Sequence, residues 1–308
     1  MNVLSVKDLN KELNFNTAAA VNTAEDLYHQ QLDAAADTVA LNAAEKPIVL
    51  LSGPSGSAKT TTALRLKKLL EERSLAAHVI SMDNYFLPLN GLSPEERSKI
   101  DLEAPSRVDL KLLEEHLGRF LDCLPTQIPT FNFADQTRGQ GELLCRQEKE
   151  IIIIEGIHAL NPEVIGSVHS HAVGMYVSVR TRLSLEKQLL HPSKIRLMRR
   201  LMRDRLFRGR EIEDIVCAFQ SVQRGEQLYI MPYKGNASIN IDTFMSYEAA
   251  AYCNALLPLL EKVSPYFEHY DIVRELIVFL NKITPIQQSA VPEHSIIREF
   301  IGGSIFSY

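Results

Sequence analysis

Short apolar runs without alternation punctuate the chain at Ile48–Leu51 and Ile151–Ile154, with further apolar or β-branched segments at Ala77–Met82, Ala172–Val179 and Ser238–Ile241. Runs of this length and uniformity predict strands buried on both faces of a sheet. Between them, helical spacing predicts helices over about Thr60–Glu72, Leu110–Leu121, Ser193–Phe207, Tyr247–Val263 and Tyr270–Leu280, and a short extended piece lies around Ile128–Phe133, behind Pro125 and Pro129. Asn84–Val108 is polar and turn-rich, so it is expected as a loop over a site rather than core. Strands alternating with helices predict an α/β fold, a mostly parallel sheet with helices on both faces. Residues 1–45 are rich in Ala, Asn, Asp and Glu, with Leu27, Leu32, Ala35 and Val39 at loosely helical spacing. They are expected as a helical extension ended by Pro47. The main domain then covers 46–265, and a helical tail over 266–308 packs on it.

Composition changes this picture little: 308 residues, 45% hydrophobic and 23% charged, fit an ordinary globular chain with a sizeable core. The net charge of −5 argues against a protein that coats nucleic acid, so any anion site is local. Cys123, Cys145, Cys217 and Cys253 form no C-x-x-C pair and read as reduced core cysteines. The N-terminus lacks the apolar stretch of a signal peptide, and no run approaches the roughly 20 apolar residues of a membrane span. A cytoplasmic protein without a membrane partner is expected.

The candidate chemistry begins at Gly53-Pro54-Ser55-Gly56-Ser57-Ala58-Lys59-Thr60-Thr61, which follows a predicted strand and opens a predicted helix. That is the context of a phosphate-binding P-loop. Backbone N–H groups and the helix N-terminus would cradle the phosphates of ATP, Lys59 would reach the terminal ones, and the Thr60 hydroxyl would bind Mg²⁺. Ala58 stands where the motif has its second glycine, placing a methyl group where the backbone must approach phosphate. Read without function, the segment is a Gly/Ser turn with an incidental lysine. Two acids end predicted strands on the same edge of the sheet, Asp83 and Glu155, which suits orientation of an acceptor hydroxyl and support of the metal. Singly, each reads more commonly as a capping or surface acid. Between Lys194 and Arg210 lie eight basic residues and one acid, Asp204. Arg196, Arg199 and Arg203 share a helical face with Arg200 beside them, as in a solvated basic face or a nucleic-acid contact.

Over roughly Pro47 to Asp242 the chain resembles the phosphoribulokinase/uridine kinase family of P-loop kinases, and its tail HSIIREFIGGSIF, with VQRGEQLYIMPYK before it, resembles a bacterial uridine-kinase-like subgroup. The resemblance rests on GPSGSAKTT, SMDNYF, IPTFNF followed by Arg138, IIIIEGIHAL and RLMRRLMRDRLFRGR, in that order. It implies transfer of the ATP γ-phosphate to a hydroxyl, with Asp83 as the base on a ribose 5′-hydroxyl and Glu155 supporting Mg²⁺. It also implies a mobile lid whose Arg203, Arg208 and Arg210 close over the transferring phosphate, with Arg200 reaching the substrate side. Acceptor-binding positions carry over to Tyr85, Glu103, Phe131, Phe133, Gln136 and Arg138. The pocket departs from the family at three places. Phe131 replaces a tyrosine, Gln136 a histidine, and Ala218 a glutamine on the helix after the lid. A nucleoside is therefore the first expectation and another hydroxyl metabolite, such as a sugar phosphate or a pantothenate-like compound, the second. A nucleotide-binding regulator without turnover is the alternative of another class, and relatives make a homo-oligomer an expectation.

Overall fold

The structure, a computed structural model, describes residues 2–307. In chain order, strand β1 (Val3–Ser5) leads into the long helix α1 (Val6–Asn42), followed by β2 (Ile48–Ser52), α2 (Lys59–Glu72) and β3 (Ala77–Ser81). The loop region then holds α3 (Pro94–Ser98), before α4 (Leu110–Leu121), the hairpin of β4 (Thr126–Asn132) and β5 (Thr137–Leu144), β6 (Ile151–Glu155) and α5 (Pro162–Ile165). The rest comprises β7 (Ala172–Ser178), β8 (Arg182–Leu185), β9 (Gln188–Leu190), α6 (Pro192–Arg208), α7 (Ile212–Gly225), β10 (Ile239–Asp242), α8 (Glu248–Leu260), α9 (Tyr270–Leu280) and α10 (Arg298–Ile301).

The central sheet has the order β10-β7-β2-β6-β3, with every pair parallel. The apolar runs behave as period-2 chemistry requires, because successive side chains point to opposite faces. Val49, Leu51, Ile151 and Ile153 join one core, whereas Ile48, Leu50, Ile152 and Ile154 join the other. This is the α/β architecture the sequence predicts.

Helix α1 contributes to the first of these cores. Asn16 leaves helical geometry (φ −160°, ψ 96°), and its Oδ1 accepts the Ala19 N–H at 3.0 Å, so the residue caps a second helical segment in the middle of the first. From there Val21, Ala24, Tyr28, Leu32, Ala35, Ala36 and Val39 are buried at helical spacing. The buried face includes Tyr28 rather than the expected Leu27, which is exposed. Tyr28 donates to Thr62 at 2.8 Å, and Glu25 pairs with Arg65, both on α2.

Pairings invisible to local pattern are β1 with β8 and β8 with β9, a small separate sheet in which Val3 faces Arg182. The hairpin of β4 and β5 extends the predicted Ile128–Phe133 piece. All four cysteines are free, as expected, but only Cys253 is buried; Cys145 and Cys217 are exposed, which corrects their reading as core residues. Among the described residues no helix is long and apolar enough to cross a membrane.

Candidate active site

Strand β2 ends at Ser52, and the loop that follows is shaped by the surroundings of its glycines. A side chain at Gly53 would meet the Val177 carbonyl at 2.0 Å, so only glycine fits. Gly56 has φ +77° and lies against the Arg196 backbone. Ala58, the motif's missing glycine, itself adopts the left-handed conformation (φ 63°, ψ 38°) at the N-cap of α2. A methyl group in that region costs about 1–2 kcal/mol, so the loop keeps the geometry of a glycine at the expense of strain. Inside it, the Ser57 hydroxyl is buried and has no hydrogen-bond partner among the described residues. An orphaned buried hydroxyl among inward-facing backbone groups suits a ligand rich in acceptor oxygens. Among the described residues Lys59 forms no ion pair, and its Nζ donates to the Pro54 carbonyl at 3.4 Å.

The two strand-end acids meet this loop. Thr60 Oγ1 donates to Glu155 Oε1 at 3.2 Å. Burial pushes the Glu155 carboxyl up from the usual 4.5 to about 7, against the pull of Lys59 and with the help of Asp83. Asp83 follows β3 in the 3₁₀ turn Met82–Tyr85. Burial raises its carboxyl too, opposed by the charges of Lys59, Arg203 and Arg208. Asp83, Glu155, Lys59, Arg203 and Arg208 thus share one electrostatic neighbourhood at the carboxyl edge of the sheet.

Asp204, the one acid in the basic helix, organises the arginines. Fully buried, it accepts from Arg203 at 2.8 Å, with Arg208 at 3.3 Å and Arg200 at 3.6 Å. Burial opposes its ionisation, yet the guanidiniums of Arg203, Arg200 and Arg208 hold its carboxyl below the usual carboxylate range. Along most of its length helix α6 is buried rather than a solvated basic face. Arg199 is wholly buried on Glu248 at 2.7 and 2.9 Å and also donates to the Gly56 carbonyl, while Arg196 pairs with Glu226 and Ser55. Only the stretch from Leu206 to Glu211, which includes Arg208 and Arg210, is exposed. Arg200 is held on the phosphate loop, donating to Ser55 Oγ, with Glu103 near enough to act on its charge.

On the acceptor side, Phe131 and Phe133 form an edge-to-face trio with Phe86, at centroid separations of 5.2 to 6.1 Å. Gln136, at the hairpin turn, donates to the Phe133 carbonyl, and Arg138 pairs with Asp109 at 2.8 Å. Tyr85 departs from the expected placement. Its ring is fully buried in the second core and its hydroxyl bonds His116 Nδ1 at 3.0 Å, because the tight turn sends Asp83 and Tyr85 in different directions. The loop over the site is pinned by Asp101, which accepts from Arg224 at 2.9 Å and Tyr229 at 3.1 Å. Gly225 admits Glu103 where a Cβ would collide with it at 2.4 Å.

Sequence reasoning missed three neighbours of the site. His158 is buried edge-to-face with Tyr229, and burial depresses its pKa to about 4, leaving a neutral imidazole. Asp204 carried a signal, as the lone acid among eight bases. Glu299 carried none: it comes from α10 and accepts from the Thr61 hydroxyl at 2.6 Å, placing a tail carboxylate on the phosphate loop.

Curated relatives include the uridine kinases of Staphylococcus carnosus, 31% identical over 63% of this chain and 86% of that protein, and of Lactobacillus helveticus, 30% identical over the same shares. Among solved structures, a putative fructose transport system kinase from Silicibacter superposes with a TM-score of 0.49 at 21% identity, covering 68% of this chain and 97% of that one. The family model described as "Phosphoribulokinase / Uridine kinase family" matches residues 48–249, which span the phosphate loop, both acids and the arginine helix. The chain belongs to the phosphoribulokinase/uridine kinase family and is a phosphotransferase acting on a hydroxyl group.

Proposed function

We propose that the protein transfers the γ-phosphate of Mg-ATP to the 5′-hydroxyl of a nucleoside of the uridine or cytidine type. The observation that carries this reading is the convergence of Lys59, Thr60, Asp83, Glu155, Arg203 and Arg208 at one sheet edge. In the proposed reaction Lys59 holds the terminal phosphates, the loop amides and the Ser57 hydroxyl surround them, and Arg203, Arg208 and Arg210 neutralise charge on the transferring group. Asp83 orients the acceptor hydroxyl and takes its proton. Mg²⁺ favours oxygen ligands and a small number of protein donors beside phosphate, and the Thr60 hydroxyl with the Glu155 and Asp83 carboxylates fits that set. When bound, the ion would supply charge neutralisation between the phosphates. The uridine kinase relatives support a pyrimidine nucleoside as acceptor.

A second acceptor class is favoured by one specific feature. The Phe86, Phe131 and Phe133 surface offers rings but no side-chain hydroxyl to read a base. ADP formation measured across uridine, cytidine, purine nucleosides, sugar phosphates and pantothenate-like alcohols tests the assignment. A pyrimidine nucleoside is expected to give the highest kcat/KM; turnover confined to a non-nucleoside alcohol would transfer the assignment to the second class.

A further inference from the structure

A cavity of about 640 Å³ lies beyond the carboxyl ends of β7 and β10 and touches the phosphate loop at Pro54. Its walls include Tyr176, Ser178, Arg180, Arg182, Arg196 and Lys234, with the carboxylates of Glu226 and Asp242, and none of Lys59, Asp83, Glu155 or Arg203 lines it.

The charges in this cavity do not balance. Glu226 is taken by Arg196. Asp242 accepts from the Arg180 N–H and the Thr181 hydroxyl, each at 2.8 Å, and from the Phe244 N–H at 3.0 Å. Both acids therefore have hydrogen-bond partners, though only Glu226 is paired with a cation. Among the described residues, the side chains of Arg180, Arg182 and Lys234 form no ion pair; Lys234 lies 5.3 Å from the centre of the Tyr176 ring. The first turn of α6, at Pro192 and Ser193, also faces the cavity and adds the positive end of a 17-residue helix. Four cations, Arg180, Arg182, Arg196 and Lys234, face two carboxylates, Glu226 and Asp242, and this net positive charge around a concavity of this size, beside a helix N-terminus whose Ser193 N–H is capped by His191 Nδ1, matches a small polyanion. Arginine's planar fork favours phosphate oxygens in particular. A net charge of −5 over the whole chain makes this local excess a feature of the cavity rather than of the surface at large.

We propose that this cavity, which borders the phosphate loop at Pro54, is a second anion site distinct from the one at Lys59 and takes a small phosphorylated metabolite through Arg180, Arg182 and Lys234. Arg196 joins the two places, since the same guanidinium pairs with Glu226 at the cavity wall and donates to the Ser55 carbonyl of the loop at 3.1 Å. The proposal does not depend on the identity of the kinase acceptor.

Calorimetric titration of the full chain with inorganic pyrophosphate, without added metal, tests it. Wild type is expected to bind at two sites and Lys59→Ala at one. Adding Arg180→Ser and Lys234→Ser to the Lys59→Ala protein should weaken the remaining site at least about tenfold, as loss of two charge-assisted contacts requires. The two surface substitutions alone should leave the circular dichroism spectrum and ADP formation unchanged. Absence of pyrophosphate binding in Lys59→Ala would overturn the proposal, as would binding there that ignores the two substitutions. So would a cavity that takes a short RNA oligonucleotide but not pyrophosphate, because the ligand would then be a polymer.

Discussion

Ala58 shows how one residue can hide a motif while its backbone preserves it. The φ of 63° is what a glycine would supply, and the alanine adopts it at a cost. Ala58→Gly is expected to raise stability by up to about 1 kcal/mol without weakening nucleotide binding, measured as a higher unfolding midpoint in urea. A lower midpoint would mean that the methyl group, buried in the first core, packs more favourably than the strain costs. Asp83 carries the proposed chemistry, and Asp83→Asn removes its charge with little change of shape. That substitution should lower kcat by about two to four orders of magnitude while ATP affinity changes far less. Collapse of ATP affinity with normal kcat at saturation would make Asp83 chiefly a support for the metal. Glu155 supplies a pH signature. Burial raises its carboxyl to about 7, so between the usual glutamate range and about pH 7 the folded state keeps a proton that the unfolded chain has released. Its contribution to stability therefore falls as pH rises through that window. Melting curves without metal should show Glu155→Gln gaining on wild type from pH 5 to about 7 and holding that gain above it. Parallel pH profiles would contradict the assigned shift.

At the scale of elements, the apolar strands and amphipathic helices were legible because each advertises itself within a few residues: Leu110–Leu121 is observed at its expected bounds, and Ile151–Ile154 is extended only by Glu155. The small sheet of β1, β8 and β9 was not, since the parallel pairing of Val3 with Arg182 has no local signal. The arginine helix was half legible. Its sequence announced a concentration of cations, but not that Arg199 would be spent on Glu248 in the core or that Asp204 would gather Arg200, Arg203 and Arg208. The same limit applies to Glu299, whose contact with Thr61 spans 238 positions. Asp204→Asn tests whether this cluster is the element that presents cations to the transferring phosphate. Removing one partner of a buried charge cluster should cost on the order of 3 kcal/mol in stability, and freeing Arg203 and Arg208 should lower kcat more than it changes KM for the acceptor. Unchanged kcat in the folded variant would show that these arginines act independently of Asp204.

For the whole molecule, the packing explains why the site is assembled from distant parts. The sheet delivers Asp83 and Glu155 to one edge, α6 crosses the phosphate loop through Arg196, Arg199 and Arg200, and the tail returns to Thr61 through Glu299. Helix α1 and the phosphate-loop helix share Tyr28, Thr62, Glu25 and Arg65, so the N-terminal segment supports the same scaffold. Such an arrangement is built for positioning and charge neutralisation, the two demands of phosphoryl transfer. In the proposed reaction this edge passes the γ-phosphate of ATP to a nucleoside 5′-hydroxyl. Phosphorus and proton NMR of the products formed from Mg-ATP and uridine tests it most directly. ADP is expected to form in step with a phosphomonoester whose phosphorus couples to the 5′-methylene protons. ADP without a phosphorylated nucleoside, or phosphate on a 2′- or 3′-oxygen, would contradict it.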